Sequence, residues 1–75
     1  MFILNQTKDV AVNMNVMRAI RQHNDELLAI YDEDSTGYNG YILGKYYGDI
    51  RRTEILEDIL KKMDLGEDKY FMPEQ

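Results

Sequence analysis

The stretch "YILGKYYGDIRRTEILEDILKKM", residues 41–63, changes its hydrophobic period halfway along, and its reading decides the fold. Up to Tyr47, aromatic and branched residues alternate with small or polar ones, the pattern of a strand. Gly44 inside that run predicts a bulge or a close backbone approach. Beyond Gly48, the apolar residues Ile55, Leu56, Ile59, Leu60 and Met63 recur at helical spacing, which places them on one stripe with Leu60 at its middle. Asp49 is the expected N-cap, and Gly66 the expected left-handed residue that closes the helix. Glu57 precedes Lys61, and Asp58 precedes Lys62, in the order that favours exposed ion pairs one turn apart. The period therefore switches where the chain leaves a sheet and folds a helix back over it.

Working outward, "FILN" (2–5) and "VAVNM" (10–14) form a hairpin around the polar "QTKD". "NVMRAIRQ" (15–22) alternates as a strand, although Met, Arg, Ala and Gln also suit a helix. "HNDE" (23–26) is turn-like, and "LLAIY" (27–31) is its return strand. "DEDSTGYNG" (32–40), with its glycines and Asx, Ser and Thr residues, reads as a long loop. The element order is β-β-β-β-β-α. It predicts an α+β domain over residues 1–66, an antiparallel sheet of about five strands with one C-terminal helix packed on one face. Residues 67–75 follow as a tail with an apolar knot, Tyr70–Phe71–Met72.

A chain of 75 residues buries a modest core, roughly 60–65% of the surface its unfolded form exposes. It has no cysteine and one histidine, His23. Disulfides, thiolate zinc sites and cysteine nucleophiles are excluded, and a histidine-based cluster would need a second chain. With 14 acidic and 9 basic residues the net charge is −5, which disfavours the phosphate backbone. The basic residues do not cluster in sequence. No apolar run reaches the ~18 residues of a membrane span, no secretory pattern opens the chain, and the expected location is cytoplasmic.

Two constellations invite a chemical reading. "DEDSTG" places Asp32, Asp34, Thr36 and Gly37 as in the first half of a calcium-binding EF-hand loop, but Leu43 stands where the closing glutamate is required. A solvated loop beside a sheet edge is the better reading, and no cofactor or metal is expected. The second constellation is aromatic. Tyr38, Tyr41, Tyr46 and Tyr47 lie close together with Lys45 among them, and large aromatic patches seldom stay bare on a stable monomer. Strand alternation puts Tyr41, Leu43 and Lys45 on one face and Ile42, Gly44 and Tyr46 on the other, unless a bulge at Gly44 shifts the register. Tyr38, Tyr41, Lys45, Tyr46 and Tyr47 are the expected interaction surface. "GKYYG" is neither a phosphate loop nor an RNA-recognition signature, and His23 sits in a turn without the surroundings of a general base.

Three features, "FILNQTKDVAVN", the strand "YILGKY" and the helix "RRTEILEDIL", together resemble small uncharacterised proteins of Firmicutes and their phages or prophages. The resemblance implies a bacterial or phage origin and brings no activity or site. The leading expectation is a non-enzymatic protein–protein interaction or adaptor module that forms a homodimer. The alternative is a nucleic-acid-associated accessory protein using Arg18, Arg21 and Lys45 with nearby tyrosines.

Overall fold

The computed structural model describes residues 1–75. Strands β1 (Phe2–Leu4) and β2 (Ala11–Asn13) form the expected antiparallel hairpin. The Asn5 side chain organises its loop, accepting from the amides of Asp9 and Val10 and donating to the Asp9 carboxylate. Lys8 takes a left-handed φ of 65° there.

After β2 the chain departs from a single five-stranded sheet. The Asn13 side chain accepts from the Asn15 amide and caps a 3-10 turn, Met14–Val16. That turn carries the chain away from the first sheet, so β3 (Ala19–His23), β4 (Glu26–Asp34) and β5 (Gly37–Lys45) make a separate antiparallel sheet in the order β3-β4-β5. The expected strand over 15–22 is thus divided into a 3-10 turn and a strand. A tight turn at Asn24–Asp25 joins β3 to β4, and Asn24 adopts a φ of 54°.

Helix α1 (Asp49–Asp64) follows, and it is not the last element. The segment 67–75, read from sequence as a tail, supplies β6 (Lys69–Phe71), which pairs parallel with β1 and completes a sheet in the order β2-β1-β6. The architecture is α+β, with two three-stranded sheets in place of the five-stranded one. Gln6 links the sheets. Its amide donates to the Leu43 carbonyl at 2.7 Å, and its side chain accepts from the Lys45 amide and donates to the Lys45 carbonyl.

One apolar cluster lies between these layers. The row Val12–Ile3–Tyr70 of the first sheet meets Leu27, Ala29 and Leu43 of the second, with Ile55 and Ile59 of α1 and with Tyr46 and Met72. The helix buries Ile55 and Ile59 fully, with Leu56 and Met63 packed beside them. Leu60 is 62% exposed. At about 100° per residue it falls on the flank of the stripe and not at its middle.

The cap at the start of α1 also differs from expectation. Gly48, with a φ of 94°, occupies the N-cap position and makes no side-chain bond, so Asp49 acts as a first-turn acid favoured by the helix dipole. At the other end Gly66 has a φ of 77°, its amide bonds the Met63 carbonyl and the next amide bonds Lys62. This is the Schellman closure that Gly66 foretold.

Candidate functional site

The predicted aromatic surface divides once β5 is traced. Pairing with β4 slips between Leu27, opposite Gly44, and Leu28, opposite Ile42, which leaves Leu43 as the extra residue of a bulge. The slip turns Ile42 outward and brings Leu43 and Tyr46 into the core. Tyr46 is 2% exposed and no longer available to a partner. Its ring lies against Gly44, where an added Cβ would come within 2.5 Å of it, so the glycine makes room for the tyrosine. Its hydroxyl donates to the Pro73 carbonyl at 2.5 Å, and burial pushes its pKa up.

The other four predicted residues are at the surface, in two places. Lys45 and Tyr47 are neighbours at the base of β5, with the ammonium 5.7 Å from the ring centroid, a cation–π contact. Tyr38 stands near the far end of the β4–β5 hairpin, and Tyr41 midway along it, opposite Ala29. Every residue from Tyr31 to Ile42 is exposed; of this arm, Asp32–Asn39 extend beyond the core, while Gly40, Tyr41 and Ile42 at its base pair with the buried Ile30, Ala29 and Leu28. Its strands stay paired, Asp32 with Asn39, Glu33 with Tyr38 and Asp34 with Gly37. A second slip, between Ile30 and Asp32, twists the arm relative to its base. Gly40 is required there, because an added Cβ would fall on the Ala29 carbonyl oxygen.

The paired arm replaces the loop expected over 32–40. Asp, Ser, Asn and Gly are poor strand formers, and they dominate 32–40. The signal that could have found it is Asp34-Ser35-Thr36-Gly37, a turn with Asp first and Gly last. The Asp34 carboxylate accepts from the Thr36 amide at 2.8 Å and its hydroxyl at 2.6 Å, and those bonds hold its pKa below the usual carboxylate range. The half EF-hand pattern is thereby stretched along a strand and around a two-residue turn.

The arm carries aromatic and acidic groups together. The Tyr31 and Tyr41 rings lie 6.4 Å apart, tilted by 44°. Tyr38 pairs across the strands with Glu33, and Ile42 with Leu28. Glu33 is held by Arg21 of β3, Nη2 to Oε2 at 2.7 Å, and that hydrogen bond lowers its pKa. Asp32 and Asp34 have no basic partner. No lysine or arginine lies between Tyr31 and Gly44.

A second exposed apolar face lies on the outer side of the first sheet. Parallel pairing with β6 sets Phe71 beside Leu4, and the outer side of the first sheet carries Phe2, Leu4, Ala11 and Phe71 around a shallow groove of about 300 Å³. Phe71 is 66% exposed. Nothing local in "EDKYFMPEQ" announces a strand that pairs with the other end of the chain.

His23 ends β3, opposite Glu26. No helix is long and apolar enough to cross a membrane. No protein-family model, curated protein or solved structure matches the chain, so the resemblance to small Firmicutes and phage proteins rests on its motifs alone.

Proposed function

We propose that this protein is a non-enzymatic protein-binding module and that its docking element is the hairpin arm from Tyr31 to Ile42. The observation that carries the reading is the arm itself. A hairpin end without a covering layer gains little from burial and is marginal on its own, yet this one exposes Tyr31, Tyr38, Tyr41 and Ile42. Tyrosine suits such a surface, since it adds a large rigid contact area at low entropic cost and ends in a polar group. The acids Asp32 and Asp34 set the chemistry of the partner: an apolar seat with basic residues at its rim.

The same charges speak against the nucleic-acid alternative. Phosphate contacts need unpaired cations; the arm has none and Arg21 is engaged by Glu33, which leaves that alternative only Arg18 and Lys45.

The test is affinity capture from a lysate of the source cells, with wild type beside the double variant Tyr38→Ser, Tyr41→Ser. A protein retained by wild type after nuclease treatment, and reduced at least about tenfold by the variant, is the expected outcome. Equal retention by both, or loss of the captured material on nuclease treatment, would overturn the proposal.

A further inference from the structure

Strand β6 is an edge, and its hydrogen-bonding groups divide cleanly between two sides. Toward β1, the Phe2 amide donates to the Asp68 carbonyl at 2.8 Å and the Met72 amide to the Leu4 carbonyl at 3.0 Å. Parallel register opposes Tyr70 to Ile3, so the N–H and C=O of Tyr70 also face β1. Lys69 and Phe71 alternate with it, and their N–H and C=O groups point away from the sheet. Pro73, the next residue of that outward phase, has no N–H and ends the open edge.

Beside this edge runs a groove of about 370 Å³, walled on its other side by Asp58 and Lys62 of α1. Those residues stand one helical turn apart with opposite charge, and neither takes part in an ion pair. Asp58 accepts the Tyr70 hydroxyl at 2.8 Å through one oxygen, which leaves the other free.

We infer that a second copy of this chain occupies the β6 edge, pairing antiparallel about a two-fold axis at Tyr70 to make one continuous six-stranded sheet. That axis sets Lys69 opposite Phe71 of the partner, and the two outward residues of each strand exchange N–H···O=C bonds in both directions. It lays the two α1 helices side by side and antiparallel, so that Asp58 of one copy meets Lys62 of the other, twice. The arrangement is self-complementary in backbone groups and in charge. It also joins the exposed Phe2–Leu4–Phe71 faces, with the stem of each Lys69 over the ring of the opposing Phe71. The short edge and the proline confine pairing to this single register. The interface is separate from the arm, so an arm-bound partner and a second copy can be held together.

Amide hydrogen exchange followed against protein concentration tests this directly, alongside sedimentation. As the dimer forms, the Lys69 and Phe71 amides are expected to become protected, while those of the arm do not change. Lys62→Glu creates two like-charge contacts and is expected to weaken the dimer about tenfold. Adding Asp58→Asn, which removes the repulsion and keeps an acceptor for Tyr70, restores part of that loss. A dimer that forms without protection at Lys69 and Phe71 would place the contact elsewhere and overturn the inference. So would a chain that stays monomeric up to millimolar concentration. Neither result touches the arm, whose test is the capture by the tyrosine variant.

Discussion

Ile59→Ala is expected to cost about 2–5 kcal/mol, while Leu60→Ala, one residue along, costs less than about 1 kcal/mol. Ile59 is fully buried among side chains drawn from both sheets, and truncation leaves a cavity that short strands cannot close by shifting. Leu60 is mostly in water, so losing its methyls removes little packing. In so small a domain the first change consumes a large share of the total stability. Melting followed by circular dichroism checks the contrast: a fall of roughly ten degrees or more for Ile59→Ala against a few for Leu60→Ala. Equal shifts would mean that α1 is rotated on its seat.

Arg52→Ala is the second large effect, expected at about 2–3 kcal/mol. The Arg52 side chain is only 11% exposed and ties three elements together. It donates to the Tyr46 carbonyl at 2.7 Å, to the Gln22 side-chain carbonyl at 3.0 Å and to Asp25 at 3.4 Å. Gln22 is on β3 and Asp25 lies in the β3–β4 turn, so the guanidinium pins that turn to the start of α1. The contact with Asp25 is long and half in water and contributes little. Most of the cost comes from the Tyr46 carbonyl, left without its donor at a part-buried position. A lysine has one charged end in place of a planar fork, so Arg52→Lys is expected to recover only a minor part of the loss in a urea titration. Full recovery would show that charge alone matters there.

The local elements were legible in the sequence, and the long-range pairings were not. The helix from 49 onward, its closure at Gly66 and the first hairpin each rest on a repeating local pattern, and all three are present. Gly44 signalled a bulge or a close approach: the extra residue of a bulge, Leu43, lies next to it, and the close approach is by the Tyr46 ring and not by a backbone. The same bulge separates Ile42, now exposed, from Tyr46, now buried, which plain alternation puts on one face, and its position could not be set to the residue without the pairing partner. At the break between the two sheets the local signal is one capping asparagine, Asn13, too small to weigh against good alternation. Strand β6 escaped because its partner β1 lies at the far end of the chain, and three residues carry no period. For the candidate site, Tyr38, Tyr41, Lys45 and Tyr47 are at the surface in two separate places and Tyr46 is in the core, while the composition of 32–40 hides the strand pairing of the arm that displays Tyr38.

On the function proposed above, the arm serves binding and not the fold. The most direct measurement is the melting curve of a variant in which Asp32–Asn39 is replaced by Asn-Gly, a pair suited to a short hairpin turn. None of the removed residues belongs to the apolar cluster. Cooperative unfolding is expected, with a midpoint within roughly four degrees of wild type. A chain that loses cooperative unfolding, or melts more than about ten degrees lower, would show that the arm holds the fold together.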